Sequence, residues 1–255
     1  MRKILFIALC LLFVNGLMLA EARAQSSDNR FLKMKVTNNE GVINGAFSRA
    51  YGRDATSAEF TQWRQSDLTG GELVGKLIEL LKTEAGAGEL SGTIARGYPQ
   101  SFGREPKTKE LSFWAAEAKA KGYGFMGLLA AYHEWLKTPE ADAERKSLVF
   151  RTFFEAYGRL PTVGESNDYR DSIEKNGQNY SDLLEWERDR MLLPASFFVA
   201  GVKYEALTNE LHDMIKRAFL TAGKGQPTEA QYAAWTAQVK AQQLTFKKLV
   251  ALLKQ

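Results

Sequence analysis

The chain writes nearly the same fourteen residues three times, as AYGRDATSAEFTQW at 50–63, SFGREPKTKELSFW at 101–114 and AYGRLPTVGESNDY at 156–169. Aligned on their Gly-Arg pairs, the copies share an aromatic before the glycine (Tyr51, Phe102, Tyr157) and the pairs themselves (Gly52-Arg53, Gly103-Arg104, Gly158-Arg159). They also share a glutamate (Glu59, Glu110, Glu165) and a closing ring (Trp63, Trp114, Tyr169) at the same spacing. A fainter copy, AGKGQPTEAQYAAW at 222–235, fits with one residue inserted before Pro227. Self-similarity at a period of roughly fifty residues restricts the chain to an array of similar supersecondary units, each burying an apolar face on its neighbour.

The residue types say what each unit is. Upstream of the glycines, apolar residues recur at helical spacing, as in Phe47 and Tyr51 or Val149, Phe153 and Tyr157. Glycine after such a run is the residue that closes a helix in the left-handed conformation. Thr56-x-x-Glu59, Thr162-x-x-Glu165 and Thr228-x-x-Gln231 then read as capping boxes that start the next helix. The second copy has Lys107 in the threonine's place, which predicts a weaker cap. A third helix follows in each unit, visible as ELVGKLIELLK, FMGLLAAYHEWLK, YSDLLEWERDRML and FKKLVALLK. No stretch alternates with period two. The fold class read from the sequence is all-α, an elongated array of about four units of roughly three helices each.

The motif [YF]-G-R-x-P-x-x-x-E-x-x-x-W, with LKTEA at 81–85 and LKTPEA at 136–141, resembles the bacterial domain of unknown function 4214. That resemblance covers most of residues 43–255 and implies a helical fold related to phycobilisome linker domains, common in secreted and cell-surface proteins. The fourth copy departs most from the pattern, with Ala222 for the aromatic and Lys224 for arginine.

The first residues set the expected compartment. MRK, the apolar run ILFIALCLLFVNGLMLA and EARAQ, with Ala22 and Ala24 before Gln25, form the pattern of a secretory signal peptide over 1–24. A membrane anchor would not need small residues at that spacing. Cys10, the single cysteine, lies in the apolar run, so the expected mature chain holds no disulfide and no thiolate metal site. Arg2, Lys3 and Arg23 against Glu21 carry +2 of the formal charge of +4. The remaining +2 is too little to argue for nucleic acid. No later apolar run is long enough to span a bilayer.

Residues 25–40 read as a flexible N-terminal arm, 41–193 as helical repeats one to three, and 194–255 as an extra helix with the fourth repeat, with the segment from Pro194 to Leu207 as a place for a boundary between two lobes. Chemistry is thinly represented. GYGFMG at 122–127 matches a dinucleotide fingerprint, but AAEAKAK before it is helical where the fingerprint needs a strand. His133 and His212 lie in different units without ligand-spaced partners, so no metal, cofactor or catalytic residue is assigned. The capping role accounts for Glu59, Glu110 and Glu165. Trp135 and Trp186, in AYHEWL and LLEWERDRM, stand outside the repeated ring position and beside charges, as interface anchors do.

These observations point to an exported, periplasmic or surface-exposed, non-enzymatic repeat protein. Its expected role is that of a structural component or adaptor of an extracytoplasmic assembly such as a surface layer, an envelope scaffold or a flagellar or filament coat. Its expected partners are other proteins of that assembly or further copies of itself. The alternatives are an exported hydrolase acting on cell-wall polymers and a carrier with an apolar pocket between helices.

Overall fold

The computed structural model describes residues 29–192 and 201–255, so the expected signal peptide, Cys10 and residues 193–200 lie outside the described residues. The described chain is all-α. Its helices are α1 (Glu40–Tyr51), α2 (Ser57–Trp63), α3 (Gly70–Lys82), α4 (Ala87–Phe102), α5 (Thr108–Lys121) and α6 (Phe125–Leu136). They continue with α7 (Asp142–Tyr157), α8 (Val163–Asn176), α9 (Tyr180–Leu192), α10 (Gly201–Thr221), α11 (Glu229–Gln242) and α12 (Phe246–Leu253). Among the described residues the only β pairing is an isolated bridge between Lys35 and Thr69.

Two compact lobes divide the chain, one built from residues up to Arg96 together with Lys107–Leu128, the other from Gly97–Pro106 together with Leu129–Gln255. The lobes thus part within 97–128, not in the segment from Pro194 to Leu207 where a boundary was expected. The third and fourth helix groups share one core, in which α7 packs on α8, α9 and α12 and α10 packs on α12. The expected extra helix is also corrected over its described part, because residues 201–207 belong to the single helix α10. In the first lobe Val42, Ile43, Ala46, Phe47 and Ala50 of α1 meet Leu73, Leu77 and Leu81 of α3 in a buried apolar core.

The corners fold as their residues dictate. Thr56, Thr162 and Thr228 cap α2, α8 and α11, each in a complete box with the acid or amide three residues on. Lys107 has no acceptor to offer, so at α5 only half of the box forms, the Lys107 N–H donating to Glu110 Oε2 at 2.7 Å. Gly52, Gly103 and Gly158 take φ of +73°, +66° and +69°. They also lie beneath aromatic rings, those of Phe125, Tyr180 and Phe246, the first residues of α6, α9 and α12. A Cβ on Gly158 would stand 2.5 Å from the Phe246 ring.

The segment expected as a flexible arm is pinned over its described length. Residues 29–33 form a helical turn, Val36 is fully buried, and its N–H donates to Leu68 O at 2.9 Å. The Gly70 N–H donates to Met34 O at 2.8 Å and the Asn38 N–H to Arg64 O at 2.7 Å. Phe31 packs on Gly45 and Gly70, with the Arg49 guanidinium 4.0 Å above its ring. Later helices carry Arg96 or Arg151 at the register of Gly45, and Phe125, Tyr180 or Phe246 at that of Gly70. Two glycines thus open a notch that the N-terminal segment fills.

Replacing Gly158 with Val combines positive φ with overlap on Phe246 and should destabilise the protein by about 2–4 kcal/mol. Urea unfolding measures it; an unchanged midpoint would remove this account of the corner.

Candidate interaction surface

Most of the residues singled out by the repeat are committed to one another. Arg53 donates Nη1 and Nη2 to the two oxygens of Glu59, both at 2.8 Å, and reaches Glu89 of α4 at 2.6 Å. Glu89 is held in turn by Arg96, whose Nε donates to the carbonyl of Tyr51 at 2.7 Å. The same joint recurs in the second lobe. Arg104 meets Glu144 at 2.9 Å, Arg151 meets Glu144 at 2.5 Å, and Arg151 Nε donates to Phe102 O at 2.7 Å. Arg159 meets Glu165 at 2.8 Å and Glu210 at 2.9 Å, while Arg217 meets Glu210 at 2.5 Å and donates Nε to Tyr157 O at 2.9 Å. Each motif arginine is thus a bridge from its own corner to the next long helix, and that helix returns an arginine to the open carbonyl at the corner's end.

Glu89, Glu144 and Glu210 were missed in reading the sequence. The signal was present, because Glu-x6-Arg recurs as Glu89/Arg96, Glu144/Arg151 and Glu210/Arg217. The clamp holds Glu59 at about 2, chiefly through the Arg53 hydrogen bonds. At Glu165 burial opposes ionisation, but Arg159 and the Thr162 N–H still bring it to about 2. Carboxylates fixed in this way stay ionised at neutral pH and make poor general acids.

Each histidine packs against a group of a neighbouring helix end or helix. His133 packs against Gly177 at the end of α8, and His212 stacks on Tyr232 with ring centroids 3.8 Å apart. Among the described residues no group of three or more His, Cys, Asp or Glu side chains is placed to hold a metal ion. GYGFMG is a helix-to-helix link, Gly122 closing α5 at φ +69° before α6 begins at Phe125. Among the described residues no helix is long and apolar enough to cross a membrane.

The two tryptophans occupy positions one turn apart in a common register. The buried leucines Leu73, Leu128, Leu183 and Leu249 align α3, α6, α9 and α12, which puts Trp135 at the place of Leu80 and Trp186 at that of Lys76. Trp135 is half-buried, its ring edge-on to Phe102 at 5.8 Å. Trp186 is 44% exposed and rests on Tyr169, centroids 5.7 Å apart. Beneath them the same register carries a difference in the core. Leu77, Tyr132 and Leu253 are buried where α9 has Glu187, itself fully buried. Glu187 accepts from the Tyr157 hydroxyl and pairs with Arg190 at 3.1 Å, and Arg190 also donates to the Tyr169 hydroxyl at 3.0 Å. Burial raises the Glu187 carboxyl above 4.5, against the pull of Arg190. The Arg190 contacts make the exposed Trp186 face the outer layer of a buried polar network.

Two shallow hollows accompany these helices. One, of about 290 Å³ in the second lobe, is lined by Gly103, Phe150, Arg151, Phe154, Glu155, Tyr180 and Lys247. The other, of about 450 Å³ in the first lobe, is lined by Trp63, Gly75, Lys76, Glu79, Leu80 and Thr83.

No family model, curated protein or solved structure matches the chain.

A group whose folded pKa is raised contributes stability below its unfolded pKa and loses it as the pH climbs through the folded value. Stability should therefore decline from about pH 4.5 upward through the Glu187 titration. Glu59 and Glu165 act with the opposite sign, their contribution complete above about 4.5 and lost toward about 2, so they leave that window clear. Glu187→Gln should flatten the decline in urea midpoints measured from pH 4.5 to 8; an identical slope in the variant would show that Glu187 is not its source.

Proposed function

We propose that this is an exported, non-enzymatic helical protein that acts by binding, as a structural component or adaptor of an extracytoplasmic assembly, the surface layers, envelope scaffolds and filament coats being the assemblies that suit it. The observation that carries the reading is a contrast in how side chains are spent. The charged groups of the repeated motif are consumed in internal clamps, while Trp186 keeps 44% of its surface exposed on a helix face whose interior side is fixed by Glu187 and Arg190. Large aromatic residues held rigidly beside an arginine are the usual anchors of protein interfaces. The corner motif supports the family resemblance and, through it, a surface or secreted setting. The N-terminal run supports export, with removal ahead of Gln25.

The test pairs two measurements on Trp186→Ala. Loss of an anchoring tryptophan costs about 2 kcal/mol or more, roughly a thirtyfold loss of affinity, so recovery with the envelope or filament fraction of expressing cells should fall sharply. Thermal stability should move little. Normal incorporation together with a lower melting temperature would make Trp186 a packing residue and remove this reading's site.

A further inference from the structure

The third unit carries a buried ionic connection that its sister units do without. Leu77, Tyr132 and Leu253 stand at the place of Glu187, and Leu80 and Trp135 at that of Arg190. Tyr169 brings a hydroxyl to the closing-ring position, where the other units have Trp63, Trp114 and Trp235. Tyr51, the counterpart of Tyr157, sends its hydroxyl to the Leu77 carbonyl at 3.2 Å, whereas the Tyr157 hydroxyl donates to the Glu187 carboxylate. Three departures from the repeat, on two helices, thus meet in one chain of contacts. The other units fold without them, and apolar residues in place of a buried ion pair are commonly as stabilising or more so. What the set adds is a buried group able to take up a proton.

The contacts hang on one nitrogen. Arg190 Nη1 donates to both Glu187 oxygens at 3.1 Å and to the Tyr169 hydroxyl at 3.0 Å, and the Trp186 indole lies on the Tyr169 ring. Glu187 is fully buried while Arg190 keeps 29% of its side chain exposed, so the arginine is the partner that can turn to water. Among the described residues, Tyr157 of α7 and Glu165 of α8 also act on Glu187, and Glu210 of α10 acts on Tyr157. Glu165 and Glu210 are each tied to Arg159, at 2.8 and 2.9 Å. Burial raises the Glu187 carboxyl above its ordinary 4.5, so it takes its proton in milder acid than an exposed glutamate would.

We propose that Glu187 and Arg190 form a proton-operated latch beneath the Trp186 face, closed while Glu187 is ionised and opened when a proton from solvent binds its carboxylate. This rests on the reading that the chain binds through that face. With Glu187 neutral, Arg190 loses its counter-charge, the Tyr169 hydroxyl loses its donor, and the ring beneath Trp186 is no longer held. The face binds in neutral surroundings and lets go in mild acid. The folded chain takes this proton more readily than the unfolded one, so the latch opens without unfolding the protein.

NMR spectra of the chain labelled with ¹⁵N and with ¹³C at the glutamate carboxyls test the latch between pH 4.5 and 8. The Trp186 indole N–H should shift in a single transition whose midpoint matches that of the Glu187 carboxyl, and the Trp63 indole in the first lobe should show no such transition. Glu187→Gln should remove the Trp186 transition; Glu187→Leu, which copies two sister helices, serves the same end if the amide disturbs folding. In Arg190→Lys the carboxyl should still titrate while Trp186 ceases to follow it. Washing the envelope or filament fraction at the acid end of that range should release at least about fivefold more wild-type protein than at the neutral end, and Glu187→Gln should lose the difference. A Trp186 indole that stays fixed while Glu187 titrates, or acid release unchanged in Glu187→Gln, would overturn the latch. If the latch fails while Trp186→Ala still loses incorporation in cells, the binding role stands unswitched. If Trp186 follows Glu187 but Trp186→Ala is incorporated normally, the latch stands and the binding reading falls.

Discussion

The arginine of each corner is the interaction on which the rest of the fold depends. A left-handed glycine reverses the chain, but a turn alone leaves the direction of the next helix loose. Arg53 and Arg159 fix it with paired bonds to the carboxylate that also caps the following helix, and then extend to Glu89 or Glu210 on a helix 36 or 51 residues further on. Exposed ion pairs contribute about 0–1 kcal/mol. These differ in that their side chains keep only 16–31% exposure and each carboxylate accepts several fixed donors, which shifts the balance toward a net contribution and a unique geometry. The return arginines, Arg96, Arg151 and Arg217, satisfy the carbonyl left open where the helix before the glycine ends. Local turn and distant helix therefore hold each other in place.

What could be read in the sequence was the chemistry that acts within four or five residues. Thr162 and Glu165 declare a helix start, and Gly158 after an apolar run declares a helix end, because cap and partner are neighbours in the chain. The far half of the clamp was harder, since Glu210 looks like any glutamate on a polar helix face until its seven-residue spacing to Arg217 is compared with two earlier copies. The N-terminal segment misled through its polar ends. Two of its apolar residues, Phe31 and Val36, are enough to seat it, because Gly45 and Gly70 leave space and the loop after α2 offers backbone partners.

The division of side chains between internal joints and outward faces shapes the proposed binding role. The motif carboxylates Glu59 and Glu165 are locked to arginines, and the tyrosine before the third glycine bonds Glu187 in the core. A buried carboxylate where sister positions carry Leu77, Tyr132 and Leu253 costs desolvation. It also orients Arg190 toward Tyr169, the ring on which Trp186 rests. The candidate surface is thus built from the core outward, each layer positioned by the one beneath.

A double-mutant cycle on Arg159 and Glu210 tests the joint most directly, because the two residues lie 51 apart in sequence and meet at 2.9 Å. Unfolding free energies of Arg159→Met, Glu210→Gln and the double variant should give a coupling of about 1 kcal/mol or more, well above the few tenths typical of exposed pairs. A coupling below about 0.3 kcal/mol would mean that the corners are held by glycine and capping alone, and that the motif arginines do not tie one group of helices to the next.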